Sequence, residues 1–215
     1  MKRIAFYGGS FDPVHRGHIA VARALVEQFV LDQFVFIPAF HAPHKNFSRP
    51  TSAYDRYALL CLVTRADNSL LVSKVELEMP EKPYSVETLT FLNSRFPKDD
   101  IFFVMGADSW NDITTWREWE TVLSISNHIV MTRPGSSIVI DHITEEIRER
   151  IVDLRGKDSD LPTVEGQKSI FFTDRVNIDV SATSIRRRIR EQDRSWRIDV
   201  PPEVAIYIEK YQIYK

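Results

Sequence analysis

The stretch that decides the fold joins a short apolar run to a turn rich in glycine and histidine. It reads Ile4-Ala5-Phe6-Tyr7-Gly8-Gly9-Ser10-Phe11-Asp12-Pro13-Val14-His15-Arg16-Gly17-His18. The apolar run, residues 4–7, has the length of a buried strand, and residues 17–30 carry apolar side chains with a helical period. The turn therefore lies where a strand ends and a helix begins, which is where open α/β sheets bind ligands.

The rest of the chain repeats this alternation of strand and helix. Further strands are predicted at residues 34–38, 70–73, 101–105, 128–132 and 170–172. Further helices are predicted at residues 53–65, 86–95 and 116–123, after Thr183, and from Pro201-Pro202 onward. Short apolar strands separated by helices predict an α/β, Rossmann-like parallel sheet with helices on both faces and with C-terminal helices.

The 215 residues have the size and composition of one globular domain, residues 1–215. Residues 136–167 are charged and predict an insertion or a cover over the sheet, with a helix near residues 144–154. No run approaches the roughly 20 apolar residues of a membrane helix, and the net charge of -2 does not suggest nucleic-acid binding. Cys61 is the only cysteine, which favours a reducing, cytoplasmic compartment. A homodimer is compatible with the sequence, although nothing in it indicates one.

The turn after the first strand has the chemistry of a phosphate site. The N–H groups and the dipole at a helix N-terminus attract anions. Gly8, Gly9 and Gly17 allow a ligand to approach the backbone. His15 and His18 are one helical turn apart, so both rings can reach the same phosphates. The pattern is neither GxGxxG nor GxxxxGK[ST], so it indicates neither a hydride-transfer cofactor nor a standard kinase.

The same turn resembles the GG[ST]FDPxHxGH signature of the HxGH nucleotidyltransferases, relatives of the class I aminoacyl-tRNA synthetases. The resemblance implies that the following residues bind ATP: Gly8, Gly9, Ser10, Phe11 and Gly17. It also implies that His15 and His18 are catalytic. A synthetase proper is not indicated, because the chain is short and shows no KMSKS-like segment.

A second segment, Val180-Ser181-Ala182-Thr183-Ser184-Ile185-Arg186, resembles the ISSTxIR motif that closes the ATP site in this superfamily. The resemblance implies ATP binding by Ser181 and Thr183 and a catalytic role for Arg186, whose guanidinium can fork onto phosphate oxygens. Ala182 replaces the second serine of the motif, so one hydroxyl contact is lost. The arginines that follow, within residues 187–197, are interpreted as a solvated helix face, with RNA binding as the weaker alternative.

Three further segments match parts of the ATP site in this group of enzymes. Pro43-His44-Lys45 matches a PxHK segment and implies a catalytic role for Lys45 on the leaving group. Gly106-Ala107-Asp108-Ser109 matches a G[AGQ]D[SN] turn and implies ATP contacts from Gly106 and Asp108. Arg133-Pro134-Gly135 resembles an element near the adenine, which implies a contact from Arg133.

The middle of the chain indicates the acceptor. Lys82-Pro83-Tyr84-Ser85-Val86-Glu87-Thr88-Leu89 resembles the KxxYTxDTL segment of bacterial nicotinate-nucleotide adenylyltransferases. The resemblance implies that four residues bind the pyridine nucleotide: Tyr84, Ser85, Trp116 and Arg117. An indole face can hold a cationic pyridinium through cation–π attraction, and donors near Ser85 and Arg117 suit a nicotinate carboxylate better than an amide.

These resemblances imply an adenylyltransferase that converts ATP and nicotinate mononucleotide to nicotinate adenine dinucleotide and pyrophosphate in NAD biosynthesis. The acceptor phosphate would attack the α-phosphorus of ATP in line, with Mg²⁺ held mainly by ATP phosphates and water and no metal ligands from the protein. The expected partners are the two substrates, with neither nucleic acid nor a membrane. The alternatives are an adenylyltransferase for nicotinamide mononucleotide or phosphopantetheine, a cytidylyltransferase, and a nucleotide-binding sensor without turnover.

Overall fold

A computed structural model describes residues 1–40, 51–79, 83–132, 137–157, 168–176 and 178–215. Its strands are β1 (Arg3–Gly9), β2 (Gln33–Pro38), β3 (Leu70–Val72), β4 (Asp100–Gly106), β5 (Asn127–Met131), β6 (Ile151–Asp153) and β7 (Ile170–Thr173). They form one sheet in the order β3-β2-β1-β4-β5-β7-β6, and every neighbouring pair is parallel. The α/β fold class predicted from the sequence is therefore confirmed.

Helices connect these strands. They are α1 (Arg16–Gln28), α2 (Ala53–Thr64), α3 (Val75–Glu78), α4 (Ser85–Arg95), α5 (Ala107–Asn111), α6 (Trp119–Ile125), α7 (Glu145–Arg148), α8 (Ala182–Arg190) and α9 (Pro202–Tyr211). Short 3₁₀ helices lie at Ile113–Thr115 and Arg194–Asp199. Within the described residues, no helix has the length and apolar character needed to cross a membrane.

The two faces of β1 pack into separate cores. Ala5 and Tyr7 lie in a core with residues of α1, α2, α8 and α9, whereas Ile4 and Phe6 lie in a core with residues of α4, α5, α6 and α7. Successive side chains of a strand point to opposite faces, so a strand covered on both sides is apolar throughout. Since β1 also pairs with β2 on one edge and β4 on the other, its carboxyl end is held in the interior of the sheet.

The predicted elements agree with the structure at most positions. All six predicted strands are present, with ends that differ by at most two residues from the observed ones. The helices predicted at residues 17–30, 53–65 and 86–95 correspond to α1, α2 and α4. The terminal helix starts at Pro202 as expected, because proline fits the first helical turn.

The helix predicted at residues 116–123 is wrong in its first turn. A 3₁₀ helix ends just before Trp116, and Glu118 has a left-handed backbone with φ of 51°. A residue in that conformation cannot continue a right-handed helix, so α6 starts only at Trp119. Trp116 and Arg117 consequently lie in a turn.

The helix predicted near residues 144–154 is also wrong. Only the four residues of α7 are helical, and Ile151–Asp153 forms the edge strand β6, parallel to β7. The β-branched pair at the start of β6 suits a strand, and pairing with β7 is a distant interaction that local periodicity does not reveal. Within the described part of the predicted cover segment, residues 137–157, Ile151–Asp153 therefore extends the sheet.

His128 is a fully buried histidine within β5. Its Nδ1 lies 3.1 Å from the carbonyl oxygen of Ser126, and its Nε2 has no hydrogen-bond partner among the described residues. Burial lowers the pKa of His128 from 6.5 to about 3; the bond to Ser126 opposes this shift, and the charge of Arg150 adds to it. The imidazole is therefore neutral in the folded protein at physiological pH.

We expect this histidine to make the fold sensitive to acid. The unfolded chain takes up a proton near pH 6.5 whereas the folded chain does so only near pH 3, so the stabilisation is complete above about pH 6.5 and decreases as the pH falls toward 3. Urea unfolding of the wild type and of His128→Leu at pH 8 and pH 5 tests this. Between pH 8 and pH 5 the free energy of unfolding should decrease more in the wild type than in His128→Leu. Equal decreases in the two proteins would contradict the account.

Candidate active site

A cleft opens at the carboxyl edge of the sheet, where β1, β4, β5 and β7 end. Its lining includes Tyr7, His18, Gly106, Thr132, Thr173 and Arg175. Parallel strands end at the same edge, so residues that are distant in sequence meet there. Thr132, Thr173 and Arg175 were missed by the sequence analysis, although each lies at or just after the carboxyl end of a predicted strand, where ligands bind in such sheets.

His15 and His18 lie together at the start of α1. His15 is the N-cap residue, and its backbone N–H donates to Nδ1 of His18 at 3.2 Å. The two imidazoles are stacked, with ring centroids 3.6 Å apart, and both are largely buried. Because Nδ1 of His18 accepts a hydrogen bond, the neutral ring carries its proton on Nε2. That N–H can donate to a phosphate oxygen.

The turn between β1 and α1 is held by a buried phenylalanine. Phe11 is 1% exposed, has a left-handed backbone with φ of 46°, and packs edge-on against Tyr7, His18 and Phe36. A Cβ atom on Gly9 would lie 2.9 Å from the Phe11 ring. Glycine at this position is therefore required by the close approach of the ring.

Arg56 holds the same turn through hydrogen bonds from its side chain and was missed by the sequence analysis. This guanidinium is 1% exposed and donates to the carbonyl oxygens of Ser10 at 2.7 Å, Ala39 at 2.7 Å and Thr51 at 3.1 Å. Burial lowers the pKa of Arg56, and the nearby Asp12 carboxylate opposes that shift. The signal that could have found it is its helical spacing from Leu59 and Leu60, which places Arg56 on the buried face of α2.

Arg186 extends from α8 to the turn after β1. Its Nη1 donates to the carbonyl oxygen of Asp12 at 2.6 Å, and its Nη2 lies 3.4 Å from the hydroxyl of Thr183. Ser181 caps α8, because its hydroxyl accepts from the backbone N–H of Ser184 at 3.2 Å. The fold thus brings together the two segments for which the sequence predicts ATP contacts.

Asp12 connects the turn to the C-terminal end of the chain. Its carboxylate, which is largely buried, accepts from the backbone N–H of Thr51 at 3.4 Å. Burial raises the pKa of the Tyr214 hydroxyl, and the neighbouring Asp12 charge raises it further. The last residues of the chain therefore pack against the turn that carries the histidines.

Gly106 and Asp108 lie at the end of β4. Gly106 is the N-cap residue of α5, lines the cleft, and has open space where a Cβ atom would stand. Asp108 is exposed in the first turn of α5. Gly8 lies at the end of the neighbouring strand β1, with the Phe103 ring 3.6 Å from an added Cβ atom.

Three of the four residues predicted to bind the pyridine nucleotide, Tyr84, Ser85 and Arg117, lie together at the start of α4. Tyr84 is the N-cap residue and Ser85 the first helical residue, and the Glu87 carboxylate accepts from the Tyr84 backbone N–H. The Arg117 guanidinium lies 5.0 Å from the centroid of the Tyr84 ring, and its Nη1 lies 3.3 Å from Oε1 of Glu87. Trp116 is partly buried and packs edge-on against Phe103, at 6.4 Å between ring centroids.

Phe103 joins the two halves of the site, because its ring contacts Trp116 and also faces Gly8. Lys45 and Arg133, which the sequence predicts to contact ATP, lie outside the described residues. Across the ranges that the structure describes, no group of three His, Cys, Asp or Glu side chains is placed to hold a metal ion.

A turn rich in glycine and histidine after an interior strand, contacted by an arginine from a later helix, is the arrangement that the sequence motifs predict for an α/β nucleotidyltransferase. The cytidylyltransferase-like family model matches residues 6–188. A "probable nicotinate-nucleotide adenylyltransferase" from Thermus thermophilus is 35% identical over 213 residues, covering 99% of this chain and 100% of the relative. Another protein of that name, from Desulfatibacillum aliphaticivorans, is 34% identical over 217 residues and 99% of both chains. The chain therefore belongs to the nicotinate-nucleotide adenylyltransferases.

Solved structures share the fold. The nicotinic acid mononucleotide adenylyltransferase of Plasmodium falciparum, complexed with APC, aligns with a TM-score of 0.73 at 18% identity, over 100% of this chain and 98% of that chain. The complex of the same enzyme with NaAD aligns with a TM-score of 0.71 at 18% identity, with the same coverage.

Two glycines of the site should respond differently to alanine. Gly9→Ala forces the buried Phe11 ring to move and should lower the free energy of unfolding by about 1–3 kcal/mol. Gly106→Ala is the matched control, because its Cβ atom meets no protein atom within 4 Å. Chemical denaturation of both variants without ligand measures the difference, and equal stabilities would contradict this packing of the turn.

Proposed function

We propose that this protein transfers the adenylyl group of ATP to the phosphate of nicotinate mononucleotide, a step in NAD biosynthesis that yields nicotinate adenine dinucleotide and pyrophosphate. The contact of Arg186 with the turn that carries His15 and His18 is the observation that supports this most strongly. The names of the similar proteins support the choice of acceptor, as does the Plasmodium falciparum complex with NaAD.

The reaction is a single in-line displacement. A phosphate oxygen of the acceptor forms a bond to the α-phosphorus of ATP while the bond to the pyrophosphate oxygen breaks, and the electron pair leaves with pyrophosphate. The acceptor phosphate is already anionic at neutral pH, so the reaction needs positioning and charge stabilisation rather than a strong base.

The charge that develops on pyrophosphate is stabilised by donors around the turn. Nε2–H of His18 and the guanidinium of Arg186 supply hydrogen bonds, with His15 and Thr183 beside them. Gly8, Gly9, Ser10, Phe11 and Gly17 bring their backbone close to the nucleotide, as do Gly106 and Asp108 at the end of β4 and Ser181 at the start of α8. Lys45 and Arg133 are proposed as further contacts on the strength of their sequence motifs alone.

The pyridine end of the acceptor lies at the start of α4. The backbone N–H of Ser85, at the helix N-terminus, and the guanidinium of Arg117 suit a nicotinate carboxylate. Trp116 and Tyr84 provide aromatic faces for the cationic ring. In the structure Arg117 is paired with Glu87, so a bound carboxylate adds a second anionic partner to a guanidinium that is already oriented.

Mg²⁺ is proposed to enter with the triphosphate, because phosphate oxygens and water satisfy its octahedral geometry. When bound, the ion neutralises part of the charge on the departing pyrophosphate. The cytoplasmic location remains a prediction from the sequence, with which a homodimer is compatible.

Turnover with three acceptors tests the proposed substrate. Pyrophosphate release from ATP and Mg²⁺ is measured with nicotinate mononucleotide, nicotinamide mononucleotide or phosphopantetheine supplied separately. We expect kcat/KM to be highest for nicotinate mononucleotide, because an amide group offers no negative charge to the donors near Ser85 and Arg117. A preference for another acceptor would contradict the assignment of the pyridine site, and ATP binding without any turnover would favour a nucleotide sensor.

A histidine substitution tests the phosphate site. His18→Ala removes a donor to the departing pyrophosphate and should lower kcat by about 10²–10³-fold. His142→Ala is the control, because His142 bonds to the carbonyl oxygen of Trp110 at 3.0 Å and belongs to neither substrate site. Steady-state kinetics of the two folded variants separate the outcomes, and near-normal kcat in His18→Ala would contradict the assigned role.

A further inference from the structure

A partly buried carboxylate contacts residues that lead toward both halves of the proposed site and takes no part in the mechanism above. Glu76 is in α3, and its Oε1 accepts a hydrogen bond from the hydroxyl of Thr88 at 3.2 Å. The backbone N–H of Phe40 also donates to this carboxylate, and the Arg56 guanidinium lies near enough to stabilise its charge. Glu76 thus contacts residues from two other elements.

These contacts lead to both substrate sites. Thr88 is 1% exposed and lies one turn inside α4, the helix whose first residues are proposed to bind the acceptor. Phe40 follows β2, and its carbonyl oxygen lies 3.5 Å from Nη2 of Arg56. Arg56 also donates to the carbonyl oxygen of Ser10 in the turn between β1 and α1 (residues 10–15, the phosphate turn). A chain of polar contacts therefore runs from α4 through Glu76 to the phosphate turn.

We propose that Glu76 is a positioning residue that holds the first turn of α4 against the end of β2 and thereby sets the acceptor site relative to the phosphate turn. The proposal rests on the proposed function, because it assumes that α4 carries the acceptor site. It assigns Glu76 no contact with either substrate. Its loss should weaken acceptor use without weakening ATP use.

The charge state of Glu76 provides a readout that a purely structural side chain lacks. Burial raises the pKa of Glu76 to about 7, against the opposing effects of Thr88, the Phe40 N–H and the Arg56 charge. Arg56 is the charged group that acts on it from α2, and Asp12 and Tyr214 also interact electrostatically with that guanidinium. On its own helix, Lys74 and Glu78 are exposed and paired with each other at 2.9 Å.

The carboxylate accepts both hydrogen bonds when it is ionised, above about pH 7. A protonated carboxyl loses part of its acceptor capacity and no longer balances Arg56. The Glu76→Gln variant resembles that protonated form at every pH, since it keeps one carbonyl oxygen and carries no charge.

The test compares the wild type with Glu76→Gln in steady-state kinetics from pH 6 to pH 8.5. At pH 8.5 we expect the KM for nicotinate mononucleotide to rise about three- to tenfold in the variant, with the KM for ATP and kcat changed less than about twofold. As the pH falls through about 7, the KM values of the two proteins should converge. Titration of the acceptor phosphate affects both proteins equally, so it cancels in the ratio of the variant KM to the wild-type KM.

The partner residue supplies an independent variant. Thr88→Val removes the hydroxyl at nearly constant volume and should raise the acceptor KM in the same way, whereas Thr88→Ser keeps the donor and should stay close to wild type. In the double variant Glu76→Gln/Thr88→Val the increase in the acceptor KM should be smaller than the two single effects combined, because both substitutions disturb the same Thr88–Glu76 hydrogen bond.

Three results would overturn the proposal: equal increases in the KM for ATP and for the acceptor, a loss of kcat alone, or a KM ratio that does not change with pH. Failure of the proposed function has a different signature, because the wild type would then not turn over nicotinate mononucleotide. In that case the same comparison is made with whichever acceptor the wild type uses.

Discussion

Arg56 lies where the turn after β1, the end of β2 and the start of α2 converge, and its guanidinium donates to a carbonyl oxygen of each. A charge removed from water is stable only when hydrogen bonds replace its hydration, and these carbonyls need donors for the same reason. The buried guanidinium therefore requires the three carbonyl oxygens, and the carbonyl oxygens require the guanidinium. The backbone of the phosphate turn takes its position from this buried contact.

Two further interactions hold the same turn from other directions. The Phe11 ring fills a space among Tyr7, His18 and Phe36, and Arg186 binds the carbonyl of Asp12 from α8. Donors that are fixed before the substrate arrives stabilise developing charge without the cost of reorganisation. In the proposed mechanism, these contacts hold the turn, and with it the histidines and Arg186, in place before ATP binds.

Local pattern predicted the parts of the fold that depend on local interactions. The apolar run at β1, the helical period of α1 and the glycine-rich turn between them lie where the sequence indicated. The left-handed backbone at Glu118 and the pairing of β6 with β7 depend on the tertiary structure, so both regions were predicted as helix. Arg56 and Glu76 were missed for a related reason: their burial and partners arise only when α2, α3 and α4 pack against the sheet.

In the candidate site too, some features are visible in the local sequence and others depend on the tertiary structure. The motifs around His15, Arg186 and Tyr84 are contiguous in sequence and could be recognised there, whereas the contact of Phe103 with Trp116 and its position facing Gly8 follow from strand order. Because β4 lies beside β1 in the sheet, a side chain of β4 reaches both halves of the site. The separation of the two proposed substrate sites therefore follows from the order of the strands.

A crystal structure of the protein with a non-hydrolysable ATP analogue and nicotinate mononucleotide tests the central claim most directly. The account predicts a triphosphate in contact with His18 and Arg186, and a pyridine ring at the start of α4 beside Trp116, with the acceptor phosphate in line with the α-phosphorus. A triphosphate bound instead along the exposed arginines after Arg186, or a pyridine ring away from Ser85, would contradict it.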